Sequence, residues 1–97
     1  MILNLDEFFR ASNLVNPNFK LLIIEQQHFV PVTKFKVKNN DLFLEGHGKT
    51  SDDKANMTIF EFKQKTAELP KNLNLRISNT HKLLFGFRIV NKSLVFY

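Results

Sequence analysis

Ninety-seven residues, 43% hydrophobic and 24% charged, suffice for one domain with its own core, and they exclude a disordered chain. The absence of cysteine excludes disulfides, thiolate metal sites and cysteine nucleophiles. The formal charge of +5 and pI of about 9.7 suit a soluble domain and favour polyanions over cationic partners.

The excess charge is uneven. Residues 1–50 hold six basic and five acidic side chains, and residues 51–97 hold eight and four. The longest apolar run, Leu21 to Ile24, falls far below the ~20 residues that span a bilayer, so no membrane partner is expected. Asp6 and Glu7 follow a short apolar start without a basic leader or cleavage site. The expected location is therefore cytoplasmic.

The chain opens on a helix signal. Asn4 and Glu7 have capping-box spacing, and Leu5, Phe8, Phe9, Ser12 and Val15 recur on one helical face as far as Pro17. A strand follows, with Phe19, Leu21 and Ile23 alternating inside the run Leu21–Ile24, which suggests a central position in a sheet. Phe35-Lys36-Val37 then leads through Asn39-Asn40-Asp41 into Leu42-Phe43-Leu44. This reads as a hairpin, because asparagine tolerates the left-handed backbone of tight turns.

The same order recurs after a linker. Thr58 and Glu61 repeat the cap, and Ile59, Phe62, Thr66 and Leu69 repeat the stripe as far as Pro70. Leu73, Leu75 and Ile77 alternate, and Phe87-Arg88-Ile89 leads through Asn91-Lys92-Ser93 into Leu94-Val95-Phe96. Helices and first strands correspond 54 positions apart, and hairpins 52 apart.

The expected fold is α+β: a tandem α-β-β-β repeat giving a mostly antiparallel six-stranded sheet with two helices on one face. The expected organisation is a single domain over residues 1–97, made of two similar halves, 1–45 and 57–97, joined by linker 46–56. If residues 58–69 form a strand instead, the alternative is an all-β meander with one N-terminal helix. Val95-Phe96-Tyr97 is expected to complete the core.

Catalytic patterns are weak. Gly48-Lys49-Thr50 resembles the end of a phosphate-binding loop, but Phe43 stands where its first glycine belongs, and Asp52 and Asp53 follow where a helix should begin. His28, His47 and His81 are scattered and lack metal-ligand spacing. No serine sits in a nucleophile elbow. Asp6 and Glu7 suit a helix start, and Asp52 and Asp53 a solvated linker. No enzyme activity, catalytic residue, metal or cofactor is expected.

Lys34, Lys36 and Lys38 alternate with Phe35 and Val37. Period two puts the lysines on one sheet face, roughly 7 Å apart, with Phe35 and Val37 turned to the core. Arg76 and Arg88 fall on polar positions of the second half. This basic face suits contact with a protein partner, the preferred reading of a small non-catalytic regulatory chain. The alternative is a nucleic-acid-binding accessory domain that grips phosphates electrostatically. Against it, the strand aromatics are expected on the opposite face from the lysines, where they cannot stack bases. Monomer and homodimer are equally compatible with the sequence.

Overall fold

The structure is a computed structural model and describes residues 2–46 and 56–97. These residues form α1 (Leu5–Ala11), β1 (Lys20–Glu25), β2 (His28–Lys38), β3 (Asp41–Gly46), α2 (Ile59–Thr66), β4 (Asn74–Ile77), β5 (Phe87–Val90) and β6 (Ser93–Phe96). The fold class is α+β. His47, Gly48-Lys49-Thr50, Ser51 to Lys54 and all of the linker except Gly46 and Asn56 lie outside the described residues.

Both helices start at the expected caps. Asn4 Oδ1 accepts from the Glu7 amide (2.8 Å), and Thr58 Oγ1 accepts from the Glu61 amide (3.1 Å). At α2 the Glu61 carboxylate also accepts from the Thr58 amide, completing the capping box. Residues 59–66 are helical, which removes the all-β alternative. The helices are short, seven and eight residues, and in the last turn the Ser12 and Thr66 hydroxyls donate to the carbonyls of Phe8 (2.6 Å) and Phe62 (2.7 Å).

The six strands form one sheet in the order β4-β3-β2-β1-β6-β5. It is mixed, with three antiparallel pairings to two parallel ones: β1–β2, β2–β3 and β5–β6 are antiparallel, whereas β1–β6 and β3–β4 are parallel. The cause is connectivity. The chain leaves β3, passes through α2 and returns beside β3 in the same direction, as a crossover requires. β6 lies between β1 and β5, so the C-terminal strand is not a sheet edge, and Phe96 is fully buried.

Both helices send their buried face into one core. Phe8 meets Phe62 edge to face (centroids 5.3 Å apart, planes at 86°) and also touches Phe87 and Phe96. Phe62 meets Phe35 at 5.7 Å. Leu21 and Ile23, Leu42 and Leu44, Leu75 and Ile77, and Leu94 face the same interior. Phe35 packs there as expected, but Val37 is 42% exposed. Ile89, at the corresponding position of the second hairpin, is likewise 44% exposed.

Hydrogen bonds recur 54 positions apart. Leu5 N donates to Leu73 O and Leu75 N to Leu3 O, and Ile59 N donates to Phe19 O and Leu21 N to Met57 O. Each helix start is thus tied to the first strand after the other helix. The hairpins share one register at a separation of 52: Phe35, Val37 and Lys38 face Leu44, Leu42 and Asp41, while Phe87, Ile89 and Val90 face Phe96, Leu94 and Ser93. Asn39 (φ 57°) and Asn91 (φ 56°) take the left-handed conformation in the two turns.

Candidate anion-binding face

The hairpin register fixes what shares a face. With Leu42 and Leu44 turned inward, Asp41, Phe43 and Glu45 point outward, opposite Lys38, Lys36 and Lys34 respectively. Across the parallel pairing, Asp41 faces Asn74 and Phe43 faces Arg76. One row across the outer face therefore reads Lys36, Phe43, Arg76. Lys34 joins this face through an irregularity of β2 between Val32 and Lys34, which lets both Val32 and Phe35 pack inward.

Two carboxylates tie part of this charge. Glu45 lies between Lys34 Nζ (3.3 Å) and Lys36 Nζ (3.4 Å), and accepts from Ser78 Oγ at 3.4 Å. Partial burial pushes its carboxyl up, but the hydrogen bonds and charges of Lys34 and Lys36 outweigh this and hold it below the ordinary range. Arg76 Nε stands 3.0 Å from Asp41 Oδ2, an ion pair without the alignment of a hydrogen bond. Its Nη1 donates to His81 O at 2.7 Å. That bond anchors the turn whose His81 has φ 59°, and the imidazole sits 5.4 Å from the Phe43 ring at 63°. Lys38 makes no ion pair among the described residues.

The result is a shallow cleft of about 280 Å³ lined by Lys36, Lys38, Asn39, Phe43, Ser78 and His81. A second cleft of about 290 Å³ adjoins it at Ser78, lined by Glu25, Thr33, Lys34, Glu45, Gly46 and Asn79 as well. Lys34, Lys36, Lys38 and Arg76 against Asp41, Glu45 and Glu25 leave the two clefts with a net charge of +1.

Of the residues singled out in the sequence, Lys34, Lys36, Lys38 and Arg76 come together here. Arg88 stands on β5, separated from β2 by β1 and β6. The expectation that strand aromatics all avoid the basic face is corrected by Phe43, which projects between Lys36 and Arg76. Alternation around Leu42 and Leu44 carries that signal. His81 reaches the site only through the turn. His28 is exposed at the start of β2. Asp6 is paired with Arg10 within the helix (2.9 Å).

Among the described residues no group of three or more histidines or carboxylates is placed to hold a metal ion. No helix among them is long and apolar enough to cross a membrane. No protein-family model, curated protein or solved structure matches the chain.

Proposed function

We propose that this protein is a small non-catalytic binding module that takes an anionic macromolecule on the outer face of β2, β3 and β4. The observation that carries the reading is the grouping of Lys34, Lys36, Lys38 and Arg76 on that face around a cleft. Arg76 is spent on Asp41 and the His81 turn, so Lys36 and Lys38 at the cleft are the principal anion contacts. Heparin-column elution tests it. Lys36→Glu with Lys38→Glu should elute at clearly lower salt than Arg88→Glu with Lys92→Glu, which makes the same change in net charge elsewhere. Equal shifts would reduce the reading to bulk charge.

The platform for this face is, in our reading, a tandem repeat of two α-β-β-β units. Its support is the recurrence of the helix-start bonds at 54 and the hairpin registers at 52. If the halves are interchangeable copies, their order is immaterial. Leu3 N bonds to Leu84 O while Phe85 N bonds to Tyr97 O, so Leu3 and Tyr97 lie close together. A circular permutant that joins them by a short linker and opens within residues 47–55 should fold to the same circular dichroism spectrum. A permutant that stays unfolded would count against the repeat.

A further inference from the structure

We infer that the anionic partner is a single-stranded nucleic acid, with one base stacked on Phe43 and its neighbouring phosphates on Lys36 and Lys38. This rests on the anion-binding reading above and goes beyond it by naming the partner class. The decisive feature is an aromatic ring inside the cationic row. Solubility or repulsion of sheet edges calls for charge on an outer face, but neither calls for a partly exposed phenylalanine between Lys36 and Arg76.

The cleft supplies what a flipped-out base needs. Phe43 offers a π-surface that any base can use. His81, 5.4 Å away and held by the Arg76 bond to its carbonyl, forms a wall beside it. Ser78 and Asn39 bring hydrogen-bonding groups to the lining. Lys38 has no carboxylate partner among the described residues, and Lys36 shares Glu45 with Lys34, so both can meet phosphate. Arg76 is a positioning residue here, since its guanidinium already holds Asp41 and the turn.

The partner class follows from the geometry of the ring. A duplex keeps its base faces stacked and presents phosphates, so it would engage the lysines but not Phe43. An acidic peptide would engage the lysines equally well without an aromatic face. An unpaired strand uses both features together.

The test is fluorescence anisotropy of the full chain with three labelled probes in ~50 mM salt: a twelve-nucleotide oligo(dT), a twelve-base-pair duplex and polyglutamate of matched charge. Oligo(dT) should bind tightest. Phe43→Leu, which keeps apolar volume but has no π-face, should weaken oligo(dT) about 5- to 150-fold, the worth of one stacked base. It should leave polyglutamate and duplex unchanged, and Phe43→Tyr should restore binding. Equal binding of oligo(dT) and polyglutamate, with Phe43→Leu inert and Lys36→Glu/Lys38→Glu destructive, would overturn the nucleic-acid assignment and leave an acid-binding face. Failure of all three probes to bind would overturn both readings.

Discussion

Glu45 offers the sharpest test of how this face works, because one carboxylate restrains two lysines. Its oxygens lie 3.3 Å from Lys34 Nζ and 3.4 Å from Lys36 Nζ, and both ammonium groups are otherwise largely in water, at 74% and 62% side-chain exposure. Glu45→Gln keeps the shape and removes the charge, leaving Lys34 and Lys36 free to neutralise phosphate. Such exposed pairs contribute only about 0.2–1 kcal/mol to stability, so the fold should persist. If one further phosphate is neutralised, the dependence of log K on log salt for a single strand steepens by about 0.7. Between ~50 and ~200 mM salt the variant should then lose about 2.6-fold more affinity than the parent, having started tighter. Anisotropy titrations with oligo(dT) at four salt concentrations measure this directly. The pH profile supplies a second arm. Because the Glu45 carboxyl sits below its ordinary range, its ion pairs support the fold above the unfolded-state pKa and are lost as pH falls through the folded one. Parent affinity should rise as pH falls past the ordinary carboxylate range, while Glu45→Gln shows a smaller rise. An unchanged salt slope together with weaker binding by Glu45→Gln would refute the picture of Glu45 as a restraint on the lysines.

Further predictions concern the scaffold. Phe8→Leu and Phe62→Leu should each cost about 1–3 kcal/mol in urea unfolding followed by circular dichroism. In combination they should show a coupling of about 0.5–1.5 kcal/mol, because the rings meet edge to face at 5.3 Å; additivity would deny a shared core contact. Gly46→Ala places a methyl 2.6 Å from Val30 Cγ1 and 2.9 Å from Pro31 O, so a loss of about 1–3 kcal/mol is expected in the same assay. Gln26 (φ 50°) and Gln27 (φ 66°) form the β1–β2 turn in left-handed conformations. Replacing them with Asn-Gly should therefore raise the melting temperature by several degrees in a thermal scan.

Much of this fold was legible because local rules and burial agree. Asn4 and Thr58 announce helix starts, Leu21 and Ile23 alternate against one core, and Asn39 and Asn91 sit in the turns that need them. The β1–β2 turn carries no such cue, since Gln26-Gln27 is held left-handed by the strands on either side. The parallel neighbours were hidden for a different reason: whether β1 lies beside β6 or β5 is a contact over some seventy residues, on which local spacing is silent. The irregularity between Val32 and Lys34 breaks simple alternation along β2, so Val32 and Phe35 both face inward. The lysines were visible as a period-two run. Their neighbours Glu45, Arg76 and His81 belong to other elements and join them only through sheet registry and a turn. Phe43 was accessible in principle, since the turn fixes its partner as Lys36 and the burial of Leu42 and Leu44 sends it outward.

The strongest reason to regard the outer face of β2, β3 and β4 as functional comes from comparing it with the matching part of the same sheet. The row Lys36–Phe43–Arg76 has a counterpart in Arg88–Val95–Leu22, built on β5, β6 and β1 with one antiparallel and one parallel pairing in each. The pairing pattern is therefore shared by the two rows, although β4 is a sheet edge and β1 is flanked by β2. In the second row the central residue, Val95, is fully buried and only Arg88 carries charge. In the first, a larger ring stands in the centre, remains partly open to solvent and is flanked by cations on both sides. Keeping a sheet soluble would be served by an exposed lysine on each face and would leave the central position small and covered, as at Val95. The departure at Phe43 runs the other way, enlarging an apolar group while leaving it accessible, and a ligand with both a flat face and negative charge is what such a departure accommodates.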